Sequence, residues 1–156
     1  MRFVDHAPAF VDCRKRSASP KLIVIHHTCT ATPEATVRAL KAVHYSTHYE
    51  VAQDGTIHRY LDPAFVVAYH AAAANQRSIG IDVTHVSGAA FPEPQILAVR
   101  ELVQALRLAF AIPMVAAPDG VKQAHETWIA RGVGVVRHRN LAATACPEAF
   151  PIERLV

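Results

Sequence analysis

The chain has 156 residues, of which 51% are hydrophobic and 19% are charged. This length and apolar content suit one compact domain and argue against a disordered chain. The formal net charge of +3 allows an anionic partner, but no basic run is interleaved with aromatic residues, so nucleic-acid binding is not predicted. Three cysteines allow at most one disulfide bond and exclude a disulfide framework.

The first part of the chain is predicted to hold a strand and a helix. Residues 1–20 are expected to form an irregular N-terminal arm, and residues 21–27 are an apolar, β-branched run typical of a buried strand. The Thr-Pro-Glu sequence at 32–34 has the features of a helix start: an N-cap threonine, a proline in the first turn and an early acid. This helix is expected to run to about Tyr45.

The middle of the chain predicts a hairpin followed by a strand and a long helix. Residues 48–52 and 56–61 have strand character, and the Asp-Gly pair between them is a strong turn signal. Residues 78–86 are predicted to form a further strand. Residues 94–111 carry apolar side chains at helical spacing and are predicted to form the longest helix.

The last part of the chain is less regular. Residues 116–133 are predicted to be an inserted loop with a short helix, residues 134–140 a last core strand, and residues 147–156 a short terminal helix. Strands and helices therefore alternate with both hairpin and crossover connections. This pattern predicts an α/β (α+β) fold, with one domain at 21–156 built on a mixed central sheet flanked by helices.

Histidine and cysteine side chains at two places suggest a metal site. His26 and His27 end the first predicted strand, and only one of them can face a given site because a strand alternates its faces. His138 lies on the last predicted strand, and Cys146 follows shortly after it. Two imidazoles and a thiolate are a sensible ligand set for Zn²⁺ and leave a fourth position open, as in catalytic zinc sites. Spacing alone does not choose between His26 and His27.

Seven short segments carry a resemblance to a known family. They are residues 22–28 (Leu-Ile-Val-Ile-His-His-Thr), 46–49, 53–57, 68–71, 78–82 (Ser-Ile-Gly-Ile-Asp), 136–139 and 144–147 (Thr-Ala-Cys-Pro). In this order they resemble the type 2 N-acetylmuramoyl-L-alanine amidases, which include T7 lysozyme-like phage amidases, bacterial cell-wall recycling amidases and animal peptidoglycan recognition proteins. The resemblance implies a peptidoglycan recognition protein-like amidase fold, one zinc ion, and cleavage of the amide bond between N-acetylmuramic acid and L-alanine in peptidoglycan.

The resemblance also implies roles for individual residues. His26, His138 and Cys146 would be the zinc ligands. The third ligand is cysteine in the phage and recognition-protein branches and aspartate in the recycling branch. Cys146 and the Thr-x-Cys-Pro pattern around it place the chain nearer the recognition-protein branch. Thr144 corresponds to a residue that holds the carbonyl oxygen or the oxyanion, where other branches have lysine. A hydroxyl stabilises an oxyanion less than an ammonium does, so zinc would supply most of that stabilisation.

The general base is implied by a different branch. Asp82 fills the place of the glutamate that serves as general base in the recycling pattern, with a side chain one methylene shorter; the alternative is an aspartate that orients a ligand histidine. Thr47 occupies the place of a tyrosine that the T7-like branch uses. His70 corresponds to a histidine near the substrate groove and is expected to contact substrate, with a polar surface histidine as the alternative. Asn75 is expected to line the same groove.

Two other functions fit the sequence. One is a peptidoglycan-binding module of the same fold without catalysis, and the other is a metal-free hydrolase with Cys146 as nucleophile and His138 as base. No segment has the pattern of a signal peptide or the length to cross a bilayer, so synthesis in the cytoplasm is expected. A phage endolysin released by a holin, a delivered antibacterial effector and a cytoplasmic recycling enzyme all fit the sequence. A monomer is expected because no long heptad pattern occurs.

Overall fold

A six-stranded mixed sheet forms the centre of the molecule. The computed structural model describes residues 2–11 and 13–156. Its strands are β1 (Arg2–Asp5), β2 (Arg14–Lys15), β3 (Leu22–His27), β4 (Tyr49–Val51), β5 (Thr56–Arg59), β6 (Val66–Val67), β7 (Ser78–Val83) and β8 (Val135–Arg137). The sheet order is β1-β5-β4-β7-β3-β8, and β2 pairs with β6 in a separate two-stranded sheet. Within the described residues of the large sheet, β4 and β5 pair antiparallel, whereas β1 pairs in parallel with β5, and β4, β7, β3 and β8 are parallel neighbours in that order.

The part of the chain that the structure describes also forms three α-helices and three 3-10 turns. The helices are α1 (Pro33–Ala42), α2 (Glu93–Phe110) and α3 (His125–Ala130), and the 3-10 turns are Ala72–Arg77, His138–Asn140 and Ile152–Leu155. The side chain of Thr32 caps α1 by accepting the backbone N–H of Ala35, as the helix-start pattern predicts. None of the helices in the described ranges combines the length and apolar content needed to cross a bilayer.

The core lies on both faces of the sheet, and β3 contributes to each. Ile23 and Ile25 pack on one face in a cluster that contains the apolar stripe of α2. Leu22 and Val24 point to the other face, where they join a second cluster with Trp128 of α3. Because a strand covered on both sides needs apolar residues at every position, the continuous run in β3 is explained by this two-sided burial.

Most of the predicted elements are confirmed, with shorter boundaries for several strands. The predicted helix at 94–111 corresponds to α2, and the short helix predicted within 116–133 is α3. The predicted strand at 134–140 is only partly right: it leaves the sheet at Arg137, and a 3-10 turn follows. The predicted terminal helix within 147–156 is a single 3-10 turn.

The prediction that residues 1–20 are irregular is wrong. β1 pairs in parallel with β5 at one edge of the large sheet, and β2 pairs with β6. Both strands are largely exposed, so they have no apolar alternation by which a sequence reveals a strand. Their conformation is set by pairing with strands that come much later in the chain, which local patterns do not report.

The end of α2 generates a stability prediction. Ala111 caps this helix in the left-handed conformation, with φ 52° and ψ 47°, which costs a residue with a Cβ about 1–2 kcal/mol. Glycine adopts this conformation without that cost. Part of the gain in stability is offset, because a glycine makes the unfolded chain more flexible and so loses more conformational entropy on folding. Ala111→Gly is therefore expected to raise the free energy of unfolding, measured with urea, by up to about 1 kcal/mol.

Ala105 provides the matched control, because it lies on an exposed part of the same helix. There the same chemical change should lower the free energy of unfolding by about 1 kcal/mol. Equal losses for both variants would show that the left-handed cap carries no strain.

Candidate metal centre

Three potential metal ligands converge at the carboxyl end of the central strands. His26 lies near the end of β3, His138 directly follows β8, and Cys146 comes from the loop after that strand. Their ligand atoms all lie within 4.8 Å of one another, and His26 Nδ1 is 3.9 Å from Cys146 Sγ. Because β3 and β8 are parallel neighbours, their ends carry the two histidines to the same edge. Across residues 2–11 and 13–156, no other group of three such residues converges in this way.

The structure places His27 on the opposite face of β3. Its Nε2 atom lies 3.0 Å from Cys29 Sγ and 3.8 Å from a Glu148 carboxylate oxygen. The alternation of the strand therefore separates the two neighbouring histidines, as the sequence predicts, and it brings His26 rather than His27 to His138 and Cys146.

The electrostatics of this group fit a metal. Burial, followed by the charges of His138 and His27, holds the pKa of His26 well below its usual value, and burial also lowers the pKa of His138. Both imidazoles are thus neutral, with lone pairs available. Burial, reinforced by the charge of Asp82, raises the pKa of Cys146 to about 12, although the N–H of His27 opposes this by donating to the sulfur. A metal ion would displace that thiol proton.

The same raised pKa weighs against a metal-free cysteine hydrolase. Such an enzyme needs a thiolate, and reactive cysteines have a lowered pKa, set by a nearby cation or a helix N-terminus. Cys146 is instead partly buried, and the charge of Asp82 helps to raise its pKa.

The loop that carries Cys146 is anchored by Glu148, a residue that sequence reasoning missed. One Glu148 oxygen lies 3.1 Å from His85 Nε2, and the other accepts a hydrogen bond from the Ser87 hydroxyl. These two hydrogen bonds, from Ser87 first and then His85, lower the pKa of Glu148 to about 2. Arg139 adds to the anchor, because its backbone N–H donates to Cys146 O at 2.9 Å and its guanidinium donates to Glu148 O.

Asp82 lies beside His26 on the same face of the sheet. The two residues are partners in the parallel register of β3 and β7, and Asp82 is 6% exposed. Burial, followed by the charge of Glu50, raises the pKa of Asp82 to about 7, while a hydrogen bond from Thr47 opposes this. A carboxyl group with such a pKa can exchange a proton near neutral pH.

Glu50 was also missed by sequence reasoning. It is Asp82's register partner on β4 and is completely buried. The hydroxyls of Thr36 and Thr84 donate to one of its oxygens at 2.8 and 2.6 Å, and the Tyr60 hydroxyl donates to the other at 3.0 Å. The only sequence signal was an acid between two apolar strand residues.

His70 contacts the proposed ligand His26, and Asn75 holds the backbone at His70. His70 Nδ1 is 3.0 Å from His26 Nε2, and His70 Nε2 is 3.2 Å from the Ser78 hydroxyl. Asn75 accepts the backbone N–H groups of His70 and Ala71 at 3.0 and 2.6 Å, so it fixes the loop that presents His70. Substrate contact by either residue stays a prediction.

Thr144 and a small pocket lie at the rim of the site. Thr144 is exposed, and its hydroxyl accepts the backbone N–H of Cys146 at 3.2 Å. A pocket of about 200 Å³ is lined by His138, by alanines 71–74 and by the start of α3, including Glu126. This pocket adjoins the proposed ligands and is large enough for a small part of a substrate.

The sequence defines the class of this protein. The family model described as N-acetylmuramoyl-L-alanine amidase matches residues 16–149, most of the chain. The chain therefore belongs to the N-acetylmuramoyl-L-alanine amidase family, and it is an amidase that acts on peptidoglycan. The resemblance identified from the motifs is thus confirmed. Comparison with curated protein sequences finds no match.

Solved structures confirm the fold. The N-acetylmuramoyl-L-alanine amidase LysC from Clostridium intestinale URNW is 23% identical, with a TM-score of 0.71 over 99% of this chain and 95% of that one. The endolysin of Thermus scotoductus MAT2119 bacteriophage Ph2119 is 22% identical, with a TM-score of 0.69 over 99% and 96%. A Drosophila PGRP-LB variant in complex with tracheal cytotoxin is 15% identical, with a TM-score of 0.65 over 99% and 92%. The peptidoglycan recognition protein-like fold is therefore confirmed.

The contact between His70 and Gly80 generates a prediction. A Cβ atom added at Gly80 would lie 2.8 Å from His70 Cγ and 2.9 Å from its Nδ1, so Gly80→Ala must displace the imidazole. Overpacking of this kind is expected to lower the free energy of unfolding by about 1–3 kcal/mol, measured by urea denaturation.

A double-mutant cycle tests the cause. In a His70→Ala background the ring is absent, so Gly80→Ala should cost much less, with a coupling energy on the order of 1 kcal/mol. An equal cost in both backgrounds would contradict the contact between the ring and Gly80.

Proposed function

We propose that this chain is a zinc-dependent amidase that hydrolyses the bond between the lactyl group of N-acetylmuramic acid and L-alanine. The observation that carries the proposal is the convergence of His26, His138 and Cys146 within 4.8 Å at the carboxyl end of parallel strands. Two neutral imidazoles and one thiolate match the ligands that zinc prefers, and three protein ligands leave a position for substrate or water.

Zn²⁺ held by these three residues would polarise the amide carbonyl and lower the pKa of water. Asp82 then accepts a proton as water adds to the carbonyl carbon. The Thr144 hydroxyl, which accepts from the Cys146 N–H, donates its own proton towards the carbonyl oxygen as negative charge develops there. The C–N bond breaks as the proton held by Asp82 passes to the nitrogen of L-alanine, which leaves a free amine and a lactyl carboxylic acid. The acid then loses its proton, which the amine or solvent takes up.

Asp82 is suited to this proton transfer by its surroundings. Burial and the buried Glu50 beside it raise the pKa of Asp82 to about 7, whereas a solvated aspartate would be too weak a base. A cation bound nearby would lower this pKa again, because it favours the carboxylate. The negative charge of Glu50 would oppose this effect of the cation, because a like charge nearby raises the pKa of a carboxyl group.

We propose peptidoglycan or its muropeptide fragments as the substrate and the cell wall as the place of action. Similarity to a phage endolysin and to a protein solved with tracheal cytotoxin supports this substrate class. Delivery by a holin or a secretion system is compatible with an antimicrobial role, while action as a cytoplasmic recycling enzyme is the alternative. We expect a monomer.

The proposed activity should depend on a bound metal ion. Elemental analysis should find about one zinc ion per chain, as a His₂Cys site holds one ion. Chelation should abolish the release of stem peptides from purified peptidoglycan, and added zinc should restore it. Zinc binding without release of peptide would instead indicate the non-catalytic binding module.

Variants of the cysteines test the ligand set. Cys146→Ser should lose both zinc and activity, whereas Cys146→Asp should keep part of each, because aspartate fills this place in the recycling branch. Cys29→Ser is the matched control: its thiol lies on the other face of β3 beside His27, and zinc content and activity should not change. Full activity in Cys146→Ser would refute the proposed site.

A separate prediction concerns the general base. Asp82→Asn should retain zinc but lower kcat by about 10²–10⁴-fold, the range typical of a lost general base. Asp82→Glu should retain much of the activity, because the carboxylate is kept and the recycling branch has glutamate there. If Asp82→Asn remains fully active on peptidoglycan, another group must accept the proton.

A further inference from the structure

A line of hydrogen bonds leads away from the proposed metal ligands into the protein. It begins at His26 Nε2, which lies 3.0 Å from His70 Nδ1. His70 Nε2 lies 3.2 Å from the Ser78 hydroxyl, which donates to the backbone carbonyl of Ala74 at 2.8 Å. The line therefore starts on the side of the His26 ring that faces away from Cys146 and ends at a main-chain oxygen.

The end of the line sets the direction of every hydrogen bond in it. A carbonyl oxygen can only accept, so the Ser78 hydroxyl donates to Ala74 and accepts from His70 Nε2–H. A neutral imidazole that donates from Nε2 accepts at Nδ1, so His70 accepts from His26 Nε2–H. His26 Nδ1 is thereby left with its lone pair, and this is the atom that faces Cys146 Sγ at 3.9 Å.

The surroundings keep this arrangement in place. His26 is only 6% exposed, and His70 has a hydrogen-bond partner at each of its ring nitrogens. The rings meet edge to face, with centroids 5.1 Å apart and an interplanar angle of 84°. Gly80 leaves room for His70, because a Cβ there would lie 2.8 Å from its ring.

We propose that His70 is a positioning residue that fixes the ring orientation and the tautomer of His26 for metal binding, and that Ser78 fixes His70 in turn. This inference rests on the proposed metal site. It differs from the substrate contact that the family resemblance implies for His70, because both ring nitrogens of His70 already have partners within the protein. Loss of such an outer partner of a ligand histidine typically weakens metal binding by about 10–100-fold.

The test compares zinc affinity across variants, by competition with a chromophoric chelator. His70→Phe keeps an aromatic ring but removes the Nδ1 acceptor for His26. The dissociation constant for zinc should therefore rise by about 10–100-fold. His70→Asn places an amide oxygen near the position of Nδ1 and should recover much of the affinity. Ser78→Ala leaves His70 but removes its hydroxyl partner, so a smaller rise is expected. His44→Asn is the matched control at an exposed histidine and should leave the affinity unchanged.

Cobalt substitution gives a second measurement that a merely structural role would not affect. The visible absorption of Co²⁺ reports the geometry of its ligands, so His70→Phe should shift the spectrum while His70→Asn restores it. If His70→Phe does not fold, Ser78→Ala and His70→Asn carry the same comparison against the wild type.

Two outcomes would overturn the inference. The first is that His70→Phe has the same zinc affinity and the same cobalt spectrum as the wild type. The second is that its metal binding is unchanged but its KM is raised, which would assign His70 to substrate binding. If the wild-type protein itself binds no zinc, the proposed function fails as well, so the two failures are distinguishable.

Discussion

Parallel pairing of β3 with β7 on one side and β8 on the other is the constraint on which the site depends. Parallel strands end at the same edge of a sheet, so the pairing brings His26 and His138 together. The register also sets Asp82 directly beside His26. A slip of β3 by one residue would turn His26 to the opposite face and put His27 in its place.

The sequence predicted the strands and helices whose local pattern agrees with their final environment. β3 is buried on both faces and α2 on one, so composition and periodicity identify both. β1 was not predicted, because an exposed edge strand has no local apolar pattern and forms only by pairing with β5. The family motifs chose His26 over His27, whereas alternation alone left that choice open. Glu50 and Glu148 were missed because their roles come from hydroxyl and imidazole groups that are distant in the chain.

Two carboxyl groups near the site, those of Glu50 and Glu148, have different surroundings. Three hydroxyls donate to Glu50, which compensates part of the desolvation of a carboxylate. Glu148 is more accessible and is held in its ionised form by Ser87 and His85. The first acid raises the pKa of its neighbour Asp82, while the second anchors the loop of Cys146. Neither needs to touch a substrate to matter for the chemistry.

The two-sided burial of β3 separates the molecule into a half that holds the site and a half that does not. The α2 side is a cluster of aliphatic and aromatic side chains, whereas His26, Asp82 and the line to Ser78 belong to the α3 side. Repacking of hydrophobic cores is tolerated when volume and pattern are kept. The α2 side is thus the natural region in which to seek thermostable variants, provided that Phe91 and Phe150 are kept, because Phe91 stacks on His85 of the loop anchor and packs against Phe150.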